Sequence, residues 1–210
     1  MKPGPLVAVA LVGGFTFAAL LTAVDQGNRL QSDQTVFDIA DDLRSGALTS
    51  LVKIVTALGS TPATALVALA AAVFLAHRRR WLELVPLAAG TVLTYAAWNL
   101  VKDLEARPRP TGALVDVGGF AFPSGHAANS VVYVAAAVAL AHCVPRLAGR
   151  AGIVVGAIVL AAAIGLSRVY LRVHYLSDVL GGWGLGAALF SVCGCAALLV
   201  AAVRHNGRAV

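Results

Sequence analysis

Residues 158–190, IVLAAAIGLSRVYLRVHYLSDVLGGWGLGAALF, decide the fold of this chain. An apolar run leads into Ser167 and Arg168, His174 follows six residues after Arg168, and a second apolar run has Asp178 near its start. Two such runs are typical of transmembrane helices that meet at one membrane face, because each span needs about 20 apolar residues. Ionisable groups near a membrane are costly and usually functional, so His174 and Asp178 are candidates for a site.

The whole chain shares this composition. Of its 210 residues, 59% are hydrophobic and 12% are charged, whereas a soluble domain carries about 25% charged residues. The isoelectric point of about 9.7 comes from basic residues in loops between apolar blocks, which does not favour a nucleic-acid partner. We therefore expect an all-α, polytopic membrane helical bundle that forms one domain over residues 1–210.

Six apolar blocks are long enough to cross a bilayer. The predicted spans cover residues 5–24, 51–76, 81–101, 124–142, 153–173 and 176–203. Pro62 in the second block predicts a kink or a late helix start. Trp81 and Trp98 lie near opposite ends of the third, as interfacial aromatic residues do. Gly182 and Gly186 predict close helix packing in the sixth.

The first loop, residues 25–50, is polar and mildly acidic. Within it, Val36, Ile39, Ala40 and Leu43 follow the spacing of an apolar helix face. This pattern predicts a short interfacial helix outside the membrane.

Six spans place both termini on one side of the membrane. The loops on the two sides carry eight Lys and Arg residues each, so the count alone is a tie. The basic turn 78–80 lies directly between two spans, and this density favours cytoplasmic termini in an inner (plasma) membrane. The first block exceeds the roughly 7–15 residues of a signal-peptide core, and we expect an uncleaved span.

Several residues in the loop after the third span and near the ends of later spans suit the binding of a phosphate ester without a metal. Lys102, Arg109 and Arg168 offer cations, and an Arg can bind phosphate oxygens through two parallel hydrogen bonds. Ser124 and Gly125 follow a proline where a helix begins, and a helix N-terminus favours an anion. The span count places these residues near one membrane face.

Two histidines complete the candidate site. His174 and Asp178 are expected to share one helix face, so the carboxylate can hold one ring nitrogen and leave the other free to attack phosphorus. His126 is then the natural general acid, and it can later activate water to hydrolyse a phosphohistidine. Taken singly, each histidine could have a purely structural role. Arg168 alone could be a residue whose long side chain extends its charge to the membrane interface.

Taken together, the motifs resemble the type 2 phosphatidic acid phosphatase superfamily, also called the lipid phosphate phosphatases. Three motifs of this family are complete, in order and at its spacings. They are Lys102 with six residues before Arg109-Pro110, Pro123-Ser124-Gly125-His126, and Ser167-Arg168 with five residues before His174 and three more before Asp178.

The resemblance implies a bundle of transmembrane helices with a metal-free site near one face and no cofactor. In bacterial members the site usually faces outward. His174 resembles the family nucleophile, Asp178 its orienting partner and His126 its general acid. The phosphate-binding residues would be Lys102, Arg109, Ser124, Gly125 and Arg168. Three charges outside the motifs, Glu105, Arg107 and Arg172, either shape the head-group pocket or are solvated loop charges, and the second interpretation is preferred.

The expected substrate is a membrane lipid phosphate at the outer leaflet. Candidates are a polyprenyl (undecaprenyl-type) diphosphate, phosphatidic acid and phosphatidylglycerol phosphate, and the residues do not separate a monoester from a diphosphate. One alternative is a non-catalytic lipid-phosphate binding or transport protein, which would be expected to lose one of the two histidines. Another is a vanadate-dependent haloperoxidase, but those relatives are soluble. The residues leave the oligomeric state open.

Overall fold

The computed structural model describes residues 3–24, 30–141, 143–144 and 146–206. Within these residues the chain forms eight helices and no strand, so the all-α prediction is confirmed. The helices are α1 (Pro3–Val24), α2 (Gln31–Asp42), α3 (Gly46–Ala57), α4 (Thr61–His77), α5 (Trp81–Glu105), α6 (Gly125–Ala141), α7 (Leu147–Tyr170) and α8 (Leu176–Asn206). The predicted end of the fourth span at residue 142 and both chain ends, predicted to be cytoplasmic, lie outside the described residues. So do Lys2, Arg29 and Arg208, which contributed to the count of basic residues.

Four of the described helices are long and apolar enough to cross a bilayer, namely α1, α5, α7 and α8. The pair α3 and α4 passes the same test as one span that is bent by 49°. Helix α6 is apolar but has only 17 residues, which corresponds to about 25 Å at 1.5 Å per residue. The protein is therefore a multi-pass membrane protein, and the fourth predicted span, which corresponds to α6, is not among these candidates.

The helix boundaries differ from the predicted spans at three places. The second span is not one helix, because residues 58–60 separate α3 from α4, and Pro62 lies in the first turn of α4, where a proline is tolerated. Helix α7 begins at Leu147 instead of residue 153 and ends at Tyr170. Lys102, expected to begin a loop, lies in the last turn of α5, which ends where Ala106 adopts a left-handed conformation.

The helix predicted in the first loop exists as α2, but its buried face is different. Asp33, Phe37 and Ala40 are the buried residues of α2, whereas Ile39 and Leu43 of the predicted face are 52% and 61% exposed. The Phe37 ring packs against Tyr175 at 5.6 Å between centroids. Helix α2 thus docks on the connection between α7 and α8, and an acidic residue belongs to its buried face.

Helix α8 packs against α1, α5 and α6, and small residues permit this. A methyl group added at Gly184 would lie 2.8 Å from the carbonyl oxygen of Gly13 in α1. Methyl groups at Gly182 and Gly186 would lie 2.5 Å and 2.9 Å from carbonyl oxygens of Ser124 and Ala128. These contacts confirm close packing at the Gly182 and Gly186 positions and bring the start of α6 beside the start of α8.

Candidate active site

A cleft of about 280 Å³ opens at one end of the bundle. It lies where α5 and α7 end and where α4 and α6 begin. Its lining includes six of the eight predicted site residues, which are Lys102, Arg109, Gly125, His126, Arg168 and His174. The predicted convergence of these residues at one face is confirmed, although their chemical roles remain predictions.

His174 and Asp178 meet, but not in the way that their spacing predicts. His174 lies in the connection before α8, which begins at Leu176, so the two residues do not share a helix face. The Asp178 carboxylate instead turns back, accepting a hydrogen bond from the Tyr175 N–H at 2.8 Å and lying 3.4 Å from His174 Nδ1. The carboxylate is buried directly behind the imidazole.

The other nitrogen of His174 faces a guanidinium, and this contact favours the tautomer with the ring proton on Nδ1. Arg109 Nη1 lies 3.2 Å from His174 Nε2. An Arg side chain only donates hydrogen bonds, so Nε2 accepts and the ring proton resides on Nδ1, facing Asp178. Burial, together with the nearby Lys102, holds the pKa of His174 well below its ordinary value. His174 is therefore a neutral imidazole with its lone pair on the cleft side.

Arg109 is held in place by backbone carbonyl groups from two segments. Its guanidinium donates to Gly118 and Gly119 oxygens, both at 2.9 Å, and to the Val173 oxygen at 2.7 Å. Burial lowers the pKa of Arg109 from its ordinary value, and the Asp178 charge opposes this shift. Because the group still carries its charge at neutral pH, it is a fixed cation at the His174 side of the cleft.

Lys102 and Trp98 form the wall contributed by α5. Lys102 Nζ donates to the Phe120 carbonyl at 2.6 Å and lies 5.8 Å from the Trp98 ring centroid. Trp98 also lines the cleft, and its indole N–H donates to Asn129 Oδ1 at 3.0 Å. The position of Trp98 at the membrane interface stays a prediction, and its indole N–H is bonded inside the protein.

Arg168 brings a third cation from the end of α7. It is buried, and its Nη1 donates to Thr56 Oγ1 at 2.9 Å. Its Nε has no hydrogen-bond partner among the described residues. A buried donor without a partner costs about 1–3 kcal/mol, so this guanidinium is suited to an anion that supplies the missing acceptor.

The predicted helix start at Ser124 and Gly125 is confirmed, but the two residues differ in exposure. Gly125 lines the cleft, whereas Ser124 is buried and does not. The Ser124 N–H donates to the Asp178 carbonyl oxygen at 2.9 Å, and its Oγ accepts from the Ala127 N–H at 3.5 Å. Ser124 thus joins α6 to α8 and supports the residue that lines the cleft.

His126 lies on the first turn of α6 and is placed by the break between α3 and α4. A methyl group at Gly59, inside the break, would lie 3.1 Å from His126 Cδ2 and 2.3 Å from Ile164 Cγ2. Only a residue without a side chain fits this contact. Polar groups share the cleft with His126: Asn129, three residues later on α6, donates from Nδ2 to Thr61 Oγ1 at 3.2 Å, and both residues line the cleft.

Sequence reasoning misjudged one charge and missed two of its partners. Arg107, expected to be solvated or to shape the pocket, is 2% exposed and outside the cleft lining. It pairs with Asp178 and with Asp33 of α2, and it also donates to Ser177 Oγ at 2.8 Å. Arg172, the second non-motif charge, pairs with Asp41, whose pKa is lowered mainly by that bond. No pattern in the sequence links α2 to Arg107.

The donor set of the cleft suits an anion. Three cations and two imidazoles line it, and no carboxylate is among its described lining residues. No group of three or more His, Cys, Asp or Glu residues in the described part of the chain is arranged to hold a metal ion. The prediction that catalysis needs no metal stays a prediction. A phosphate fits the charge of this lining, with cations for its oxygens and two imidazoles in the same cleft.

Comparison with known proteins identifies relatives over most of the chain. The model of a family described as the PAP2 superfamily matches residues 83–198. Phosphatidylglycerophosphatase B of Bacillus subtilis is 34% identical over 84% of this chain and 89% of its own length. The decaprenylphosphoryl-5-phosphoribose phosphatase of Mycobacterium tuberculosis is 35% identical over 60% of this chain and 67% of its own length.

A solved structure agrees with the helical arrangement. It is the crystal structure of the first transmembrane PAP2 type phosphatidylglycerolphosphate phosphatase from Bacillus subtilis, with a TM-score of 0.73 and 30% identity. The match covers 91% of this chain and 94% of that one. Similarity therefore extends beyond the motif residues to the fold as a whole.

Proposed function

Because the chain belongs to the PAP2 superfamily and is a membrane lipid phosphatase, we propose that it cleaves its substrate through a phosphohistidine on His174. The observation that carries this proposal is the position of the imidazole between Asp178 on Nδ1 and Arg109 on Nε2. Nε2 lies at the cleft lining, and its lone pair, which accepts from Arg109, would be released to phosphorus when this Arg109 N–H turns to a phosphate oxygen.

The proposed reaction has two steps. In the first, Nε2 of His174 forms the N–P bond, the bond from phosphorus to the leaving oxygen breaks, and protonated His126 gives that oxygen its proton. In the second, neutral His126 takes a proton from water, which attacks phosphorus and displaces His174. No metal takes part, because Lys102, Arg109 and Arg168 stabilise the charge that develops on the phosphate oxygens.

The proposed substrate is a phosphomonoester on the hydroxylated head group of a lipid. The two relatives named above act, by their names, on a glycerol phosphate and on a ribose phosphate, each attached to a lipid. In this chain Thr61 and Asn129 lie beside His126, where the leaving alcohol would lie. Their polar groups can bind neighbouring hydroxyls. Phosphatidylglycerol phosphate fits this description, whereas phosphatidic acid and a polyprenyl diphosphate lack such hydroxyls beside the leaving oxygen.

The proposed location is the extracytoplasmic face of the plasma membrane, with both termini in the cytoplasm and α2 at the outer interface. This orientation counts α6 and the bent pair α3 and α4 as one span each, six in all. The basic residues 78–80 support it, because they lie at the end of the bundle opposite Lys102 on α5. A run of Arg beside two spans favours the cytoplasmic side.

Phosphate release from a lipid panel, by purified protein in detergent with EDTA present, tests the proposal. The panel holds phosphatidylglycerol phosphate, phosphatidic acid, a polyprenyl diphosphate and a short-chain phosphate ester, and His174→Ala is measured in parallel. We expect turnover with EDTA that is lost in His174→Ala, acid-labile phosphate on wild-type protein after rapid quenching, and the highest kcat/KM for the head-group monoester. Turnover by His174→Ala equal to wild type would refute the nucleophile assignment.

A variant pair separates substrate choice from chemistry. Thr61→Val and Asn129→Leu remove polar groups beside His126, so we expect the preference for phosphatidylglycerol phosphate over phosphatidic acid to fall. Activity on phosphatidic acid should be retained. A proportional loss on every substrate would contradict the proposed role of these residues in binding the head group.

A further inference from the structure

A buried charged network lies behind His174, on the side away from the cleft. It joins α2, the segment between α5 and α6, and the first turn of α8. Its members, each no more than 2% exposed, are Asp33, Arg107, Ser177 and Asp178. Of these four, only Asp178 belongs to the family motifs described above.

The hydrogen bonds of the network connect Asp33 to Asp178 through Arg107 and Ser177. Asp33 accepts from the N–H and the Oγ of Ser177, both at 2.8 Å, and from Arg107 Nη2 at 3.3 Å. Arg107 Nη1 donates to Ser177 Oγ at 2.8 Å and to Asp178 Oδ1. The Arg107 guanidinium also lies over the Tyr175 ring, 4.2 Å from its centroid. Asp33 therefore orients Arg107 and Ser177, and Arg107 holds one oxygen of Asp178.

This arrangement fixes the rotation of the Asp178 carboxylate. With Oδ1 held by Arg107, the other oxygen, Oδ2, is directed to the Tyr175 N–H and to His174 Nδ1. A carboxylate without the Arg107 contact could rotate and leave Nδ1 unbonded. The ring proton would then no longer be confined to Nδ1, and Nε2 would lose its defined lone pair.

Stability alone is a weak explanation for such a network. Buried ion pairs are costly to desolvate, and apolar residues of similar volume often serve stability equally well or better. The segment that carries Arg107 also carries Arg109, which contacts Nε2 of the same imidazole. The backbone of Arg107 is itself fixed, because its carbonyl accepts from the Ala121 N–H at 2.8 Å. One short segment thus holds His174 from both of its nitrogens.

We propose that Asp33, Arg107 and Ser177 are positioning residues for the reaction, and that they act by directing Asp178 Oδ2 to His174 Nδ1. This inference rests on the proposed function, in which His174 is the nucleophile. It assigns a part in catalysis to α2 of the first loop, whose Asp33 lies outside the cleft lining.

The test compares two acidic residues of α2. Asp33→Asn changes the network, whereas Asp41→Asn removes a different ion pair of the same helix, with Arg172, that does not touch Asp178. For Asp33→Asn we expect kcat to fall roughly 10- to 100-fold, the range found for residues that orient metal-binding histidines, with KM within about threefold of wild type. For Asp41→Asn we expect both constants to stay within about threefold.

Ser177→Ala provides a second variant, which keeps the charges of Asp33 and Arg107. It removes the hydroxyl shared by Asp33 and Arg107, so we expect a smaller fall in kcat, again without a matching change in KM. Size-exclusion profiles and thermal midpoints in detergent establish that each variant is folded. If Asp33→Asn does not fold, Ser177→Ala decides the question, because a wild-type kcat in this variant overturns the inference.

The rate of phosphohistidine formation in a single turnover separates positioning from a structural role. We expect it to fall in Asp33→Asn in proportion to kcat. A folded Asp33→Asn protein with a lowered thermal midpoint and a wild-type rate overturns the inference and leaves the proposed function intact. Wild-type protein without turnover, or an active His174→Ala variant, would overturn both proposals.

Discussion

Gly59→Ala is expected to damage the site although it introduces one methyl group outside the family motifs. Gly59 lies between α3 and α4, where the break meets His126 and the α7 residue Ile164. The new Cβ would lie 2.3 Å from Ile164 Cγ2, 3.1 Å from His126 Cδ2 and 3.3 Å from His126 Cβ. Carbon atoms pack favourably at about 3.5–4.0 Å. The segment between α3 and α4 must therefore move away from Ile164 by roughly 1 Å or more.

The size of the effect follows from this displacement. Overpacking of this kind costs about 1–3 kcal/mol of folding free energy. A misplacement of about 1 Å in a catalytic arrangement can cost roughly 100-fold in rate. We therefore expect a lower thermal midpoint and a kcat reduced roughly 10- to 100-fold. We expect kcat to fall because His126, the proposed general acid, is in contact with the displaced segment.

The assay is phosphate release from the preferred lipid in detergent, together with thermal unfolding. Gly46→Ala is the matched control, since it lies at the other end of α3 and a methyl group there meets nothing within 4 Å. Ile164→Ala removes the clashing Cγ2. The losses of kcat and of thermal midpoint in the double variant Gly59→Ala, Ile164→Ala should therefore be smaller than the sum of the losses in the two single variants. Wild-type kcat and thermal midpoint in Gly59→Ala would refute the reasoning.

Three further results are expected. Arg168→Lys should raise KM and the inhibition constant for vanadate roughly 10- to 100-fold, because a point charge cannot replace the two-pronged guanidinium; unchanged constants would exclude Arg168 from phosphate binding. The pKa of His174 lies well below 6.5 in the folded protein, so below that pH the unfolded chain binds more protons and stability is lost. The thermal midpoint should therefore be lower at about pH 5.5 than at about pH 7.5, and this decrease should be smaller in His174→Gln than in wild type. An equal decrease in both proteins would contradict this reasoning. In a background without the native cysteines, Thr111→Cys should react with a membrane-impermeant maleimide in intact cells and Arg78→Cys should not; the reverse would invert the orientation.

The meeting of the site residues at one membrane face could be predicted, because it depends only on where the motif residues lie relative to the span ends. In a bundle of spans, the end of a helix indicates the membrane face, and motif residues near span ends must meet there. Lys102, His126 and Arg168 obey this rule. The rule is insensitive to small errors, so it held although Lys102 belongs to a helix instead of a loop and the second span is broken.

The support of the site could not be predicted in the same way. Asp33 and Ser177 are separated by 144 residues in sequence, and no periodic pattern encodes such a contact. The apolar template for α2 counted hydrophobic residues and assigned Ile39 and Leu43 to the buried face, whereas the buried face contains Asp33. A buried carboxylate is found from sequence only when its partner is known, and the partner Arg107 resembled an ordinary loop charge.

The break between α3 and α4 also has a consequence for the order in which the chain is made. Helix α3 has 12 residues and α4 has 17, and the two pass as a span only together. The Leu58 carbonyl at the break accepts from the Tyr133 hydroxyl of α6 at 2.8 Å, and Thr56 is bonded to Arg168 of α7. Both partners are synthesised after the pair itself. In a nascent chain that ends before α6, the Leu58 carbonyl and the Thr56 hydroxyl must therefore stay in water or in the insertion machinery. The pair α3 and α4 inserts stably into the bilayer only together with later helices.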